Sequence, residues 1–251
     1  MNLQQKKDNS FLATEPLGRL LLKLSLPTVT AQVINMLYNI VDRIYIGHIP
    51  ETGALALTGV GVCMPLIMIV SAFAALVGNG GAPRSSIFMG KGDKESAEQT
   101  LGNCFTTQIV VSLLLTLILF TGNKSFLMAF GASENTIPYA VAYMNIYSLG
   151  TIFVQLTLGM NAFITAQGFA KTSMLSVLVG AASNIILDPI FIFALHMGVR
   201  GAALATIVSQ ALSCTWVLHF LMGKKSYLKI HRCNMKLKKD IILPSLALGL
   251  S

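Results

Sequence analysis

The sequence of 251 residues predicts an all-α fold, a polytopic bundle of membrane-spanning helices, and three observations predict it. Charged residues make up only 11% of the chain, against about 25% in a soluble domain, while apolar residues make up 54%. The mean hydropathy is +0.69. Six apolar segments are each long enough to cross a bilayer as a helix: residues 24–46, 55–77, 101–121, 137–164, 173–195 and 201–222.

Residues 1–23 are polar and lack the short apolar core and small-residue cleavage site of a signal peptide, so they read as a cytoplasmic lead-in. The first span opens on Leu24-Ser25-Leu26-Pro27-Thr28 and carries a polar stripe, Gln32, Asn35, Asn39 and Asp42, at spacings of three and four. Tyr38 lies one turn before Asp42 on that face. Arg43 follows directly, but neighbouring helical residues point about 100° apart, so it is expected to snorkel outward. The second, third, fourth and sixth spans hold no Asp, Glu, Lys or Arg.

The fifth span carries Asp188, followed by Pro189. A carboxylate in an apolar run costs several kcal/mol on insertion scales unless it meets a partner, an ion or water. Pro189 has no N–H to give and crowds the carbonyl of Ile185, which frees polar backbone beside the acid. Asn184 is one turn before Asp188 and shares its face. The plainer alternative is an aspartate that only bonds a neighbouring helix at the kink. In the sixth span Gly198, Ala202 and Thr206 recur at four, as do Gly201 and Ala205, a spacing that permits close helix packing.

Residues 223–240 form a basic loop, and residues 241–251 open a seventh span. Ile241-Ile242-Leu243-Pro244-Ser245 repeats the entry of the first, as a parallel repeat of six helices would. The chain is therefore expected to be one half of a larger transporter plus the start of the second half.

Orientation follows from Lys and Arg. With the N-terminus inside, the inner connections hold fifteen and the outer loops only Lys124 and Arg200, a strong positive-inside signal. This topology also accounts for the net charge of +8, because no basic face with interleaved aromatics suggests a nucleic-acid partner. The run from Lys224 to Lys239 is placed to touch anionic lipid head groups, although topology alone explains it. Cys63, Cys104, Cys214 and Cys233 form no CxxC and, like the four histidines, are scattered. The twelve methionines suit lipid-facing and core positions, with an adaptable drug-contacting wall as the alternative.

Counting from the outer ends at about 1.5 Å per residue places Asp42, Asp188 and Thr206 at one level, roughly 7 to 11 Å deep. Asp42, Asn184, Asp188 and the Thr206 hydroxyl supply the oxygen ligands a hard cation prefers, so Na⁺ is possible at these residues. Two neighbouring carboxylates can instead hold a proton between them. Spacing leaves the two open. No resident cofactor is expected.

With Pro27, Asn39-Ile40-Val41-Asp42-Arg43-Ile44-Tyr45-Ile46-Gly47, Gly90-Lys91-Gly92-Asp93 with Ala97, Gln167-Gly168 with Met174, and Asn184 to Pro189 followed by Gly201-Ala202-Ala203, the chain resembles the N-terminal lobe of a MATE transporter, the multidrug and toxic compound extrusion family, in its DinF-like branch. The resemblance covers nearly all of residues 15–251. It implies two lobes of six helices in the cell membrane, exporting amphipathic, often cationic compounds in exchange for Na⁺ or H⁺. It also implies a cation site at Asp42, Asn184, Asp188, Thr206 and the backbone carbonyl of Ala202. Asn35, Tyr38, Asn39, Tyr143 and Asn161 are expected along the substrate cavity, and the second lobe is missing.

The expected mechanism is alternating access, with the ion favouring one bend of the first helix at Pro27 and Pro189 kinking the fifth. A lipid-linked precursor flippase of the same superfamily is the nearest alternative, though it favours a more basic cavity and Arg43 is the only cation in the spans. A major-facilitator carrier also has six-helix halves, but its acidic and arginine-rich inner-loop motif is absent between Arg84 and Glu98. An intramembrane aspartyl protease would need two apposed acids, and neither aspartate sits in a Gly-x-Gly-Asp context. The chain is therefore not expected to be an enzyme. A non-transporting fragment is the remaining alternative.

Overall fold

The computed structural model describes residues 16–250, with the side chains of Leu20, Lys23 and Leu24 left aside. The lead-in expected over residues 1–23 lies outside the described residues up to position 15. From there the chain turns helical earlier than expected, because α1 runs Leu17–Gly47 and takes in the last basic turn.

The remaining elements are α2 (Gly53–Gly90), α3 (Lys94–Ala129), α4 (Ile137–Leu149), α5 (Thr151–Ala166), α6 (Ala170–Pro189) with a π turn at Ile190–Ala194, α7 (Val199–Met222), a 3₁₀ turn at Arg232–Met235, and α8 (Lys239–Gly249). Four stretches, α2, α3, α6 with its π turn, and α7, are long and apolar enough to span a membrane, and α4 with α5 makes a fifth as a bent pair. The first helix has the length for a span but is not among them, since Gln32, Asn35, Asn39, Asp42 and Arg43 hold down its hydropathy.

Two helices outrun their apolar segments. Helix α2 continues past Val77 to Gly90 through Pro83, and α3 begins at Lys94 and ends at Ala129. The Asp93 carboxylate caps α3 by accepting from the Ser96 N–H at 3.0 Å. The fourth apolar segment is not one rod: it breaks at Gly150 with a bend of 57°. Ile207 of α7 packs into the space where Gly150 has no side chain, which ties the bend to α7.

Two apolar clusters fill the interior. One, at the turn between α1 and α2, joins Ile46, Val60, Leu119, Met144, Ile192 and Val199, and the other, at the turn between α2 and α3, joins Val77, Leu101, Phe163, Ile164, Val217 and Leu228. Near the junction, Gln108 of α3 and Gln155 of α5 donate to the carbonyls of Ala74 and Val70, both at 2.9 Å. These two bonds pin α2 to both neighbours. Apolar side chains on the outside, such as Leu113, Leu114 and Leu117 of α3, are 54 to 62% exposed, as a lipid-facing surface requires.

Between α7 and α8 the basic loop is a fastened strap. Gln167 Oε1 accepts from the Ser226 hydroxyl at 3.0 Å and from the Tyr227 and Leu228 N–H groups at 2.9 Å. Its neighbour Gly168 turns the chain at φ 86°, in the left-handed region that glycine adopts freely. Farther along, Glu98 accepts from the Lys229 N–H at 3.2 Å and Asn103 Oδ1 from the Lys238 N–H at 2.7 Å. The Thr106 hydroxyl donates to the Met235 carbonyl at 2.9 Å.

Candidate functional site

Asp42 reaches the interior because the polar stripe of α1 is turned toward α6. Its side chain faces Asp188, which is fully buried, while Arg43 beside it is exposed. Asp188 sits one residue before Pro189, where the helix changes pitch. After the proline the backbone runs i to i+5, with the Leu195 N–H donating to the Ile190 carbonyl at 2.9 Å. Such a π turn inside a helix commonly accompanies a functional residue. Gly201 allows α7 to seat against this turn, since a Cβ there would lie 2.6 Å from the Phe191 carbonyl carbon.

The carboxamide of Asn184 donates to Asp188 Oδ1 at 3.3 Å. That leaves Asp42 Oδ1, Asn184 Oδ1 and Asp188 Oδ2, all buried and without a hydrogen-bond partner. Buried acceptors cost free energy when nothing donates to them, about 1 to 3 kcal/mol each and more when charged. Three side-chain oxygens from two helices, on residues grouped around Asp188, are thus buried without a donor. Thr206 lies beside them, facing the Tyr143 hydroxyl, and Ala202, fully buried, is one turn before it on α7.

Asn184 and Thr206 also line a cavity of about 840 Å³ walled by α1, α2, α5, α6 and α7. Asn35, Tyr38 and Asn161 line it as expected from sequence. Two residues do not. Asn39 turns back along its own helix and donates to the Asn35 carbonyl at 2.6 Å. Tyr143 is packed into the bundle, its ring 6.2 Å from that of Tyr147 in a stacked arrangement, and belongs to the wall behind the acids. Pro27 is buried within an uninterrupted α1.

A family model described as MatE matches residues 27–190, from Pro27 through the two acids to the residue after Pro189. The chain belongs to the MatE family. Among curated proteins it is similar to the multidrug export protein MepA of Staphylococcus haemolyticus (strain JCSC1435), 27% identical over 226 residues that cover 90% of this chain and 50% of that protein. Among solved structures it resembles a MOP superfamily transporter from Pyrococcus furiosus, with a TM-score of 0.88, 26% identity, and coverage of 96% of this chain and 53% of the other. It also resembles a multidrug resistance MATE family transporter in an outward-facing conformation, with a TM-score of 0.84, 26% identity, and coverage of 92% and 51%. The chain thus spans about half the length of the relatives it matches.

For a MatE-family chain, several cavity residues escape a reading that looks for charges. Asn79, Thr165, Ser173, Ser209 and Gln210 line the cavity, and Ser209 Oγ, Gln210 Oε1 and Asn161 Oδ1 are buried without partners. Their signal was present as neutral polar residues at helical spacing, Thr157, Asn161 and Thr165 on α5 and Ser209 with Ser213 on α7.

Proposed function

We propose that this chain is the N-terminal lobe of an ion-coupled multidrug exporter of the cell membrane, with its N-terminus in the cytoplasm and its second lobe lying beyond the residues given. The observation that carries the reading is the set of three unpartnered buried oxygens on Asp42, Asn184 and Asp188, of which Asn184 also lines the cavity. The coupling ion, Na⁺ or H⁺, binds there as transported substrate, with Thr206 and the Ala202 carbonyl as further oxygen donors. Amphipathic, cationic compounds occupy the cavity below. Among the described residues its lining holds no charged side chain, which suits a wide range of such compounds and not a polyanionic lipid-linked precursor.

Alternating access follows from competition. Ion binding draws α1, through Asp42, onto α6, through Asp188, and favours one bend of α1 at Pro27. Substrate leaves when that bend narrows the cavity. A ligand shifts such an equilibrium only by its differential affinity for the two states. In the two-lobe transporter, Asp188→Asn should reduce ion-driven efflux of a cationic dye to the level of cells without the protein. Unchanged efflux would remove Asp188 from the mechanism. Thermal unfolding in NaCl against choline chloride separates the ions: selective stabilisation by Na⁺ that vanishes in Asp188→Asn assigns Na⁺.

A further inference from the structure

We infer that Arg84 is a breakable latch that holds the start of α8 against the inner half of α2, through a backbone carbonyl that Pro244 leaves without its helical donor. Pro244 lies inside α8 and has no N–H, so the Asp240 carbonyl one turn earlier loses its usual partner. The Arg84 guanidinium takes that place. Its Nη2 donates to the Asp240 carbonyl at 3.2 Å and its Nη1 to the Ile241 carbonyl at 3.0 Å. The guanidinium is steadied over the Phe88 ring, 5.7 Å from the centroid.

Below the guanidinium the two helices meet backbone to backbone. A Cβ on Gly80 would lie 2.8 Å from the Gly249 N–H nitrogen, and one on Gly249 would lie 2.9 Å from the Leu76 carbonyl carbon. Such glycine pairs let helices approach closely in a membrane. Ser245 is buried in this seam and faces Cys104 of α3, itself buried. Ala82 and Ser86, on the side of α2 away from Arg84, line the cavity, as do Pro83 and Ile87 on its flank. Helix α2 therefore carries the cavity wall on one side and the latch on the other. As a gate at the inner end, the latch rests on the transport reading above; as a contact between α2 and α8 it does not.

Cys104 is a native reporter of the seam. Its alkylation by N-ethylmaleimide can be followed by peptide mass in a Cys233→Ser background, because Cys233 is the exposed cysteine. Arg84→Ala should raise the rate at Cys104 by roughly tenfold while Cys63, buried in the cluster with Ile46 and Val60, keeps its rate. In a Pro244→Ala background, where residue 244 regains an N–H for the Asp240 carbonyl, Arg84→Ala should change the Cys104 rate less than about twofold. An unchanged Cys104 rate in Arg84→Ala overturns the latch. Equal effects in the two backgrounds overturn the role of the vacated carbonyl, and a parallel rise at Cys63 assigns the effect to general loosening and overturns the latch as well.

Discussion

Asp93 and Asp188 show how one side chain does two jobs according to its surroundings. Asp93 is exposed at the start of α3, where the Ser96 side chain and then its N–H hold the carboxyl below the usual carboxylate range. A lowered value in the folded state means stability that is present above the unfolded value and lost as pH falls through the folded one. Asp93→Ala should therefore lower the melting temperature at neutral pH, and the gap should close in acid; Asp93→Asn, which still caps, should retain most of the stability. A gap that persists unchanged in acid would assign the loss to something other than the charged cap. Asp188 has the opposite setting, no exposure and an oxygen without a donor. Its cost was legible in sequence because an acid in an apolar run is costly wherever it lands. The positions of Asn39 and Tyr143 were not, since a stripe fixes Asn39 only to within a turn, Tyr143 was expected from the resemblance alone, and both side chains found partners other than the cavity.

At the scale of elements, the strap between α7 and α8 depends on Gln167. The motif Gln167-Gly168 stood out in sequence, but its work did not, because its partners, Ser226, Tyr227 and Leu228, lie 59 to 61 positions away. Gln167→Leu leaves those donors without an acceptor in a buried site, a loss of roughly 1 to 3 kcal/mol for each group not rescued by water. The expected outcome is limited tryptic cleavage after Lys225 and Lys229 that the parent resists. Resistance equal to that of the parent would show that Glu98 and Asn103 hold the strap without it. The element ends were the least legible part. Residues 78–90 hold glycines, serines and Pro83 in place of an apolar run, yet they stay helical because those small residues serve close packing.

For the whole molecule, the neutrality of the cavity sets a prediction about charge. Asn161→Lys places a cation on a wall that has none, and in the two-lobe protein it should weaken efflux of cationic dyes several-fold while sparing neutral ones. Equal loss for both kinds of dye would mean a general defect. The bundle itself was readable from hydropathy, as were the apolar segments that lie in α2, α3, α6 and α7. The bend of 57° at Gly150 was not, because no charge or proline marks the place and the break answers to Ile207 on another helix.

The fastened strap also bears on how the polypeptide can be divided. Most linkers between repeated halves behave as slack cord, and severing them sets the pieces adrift. Here the backbone on either side of residue 230 is anchored to α3 by Glu98 and Asn103, so a nick in that stretch leaves each cut end moored. In the two-lobe protein proposed above, two polypeptides made separately and parted at this point should find one another again without any covalent join, their meeting place already moulded into the first.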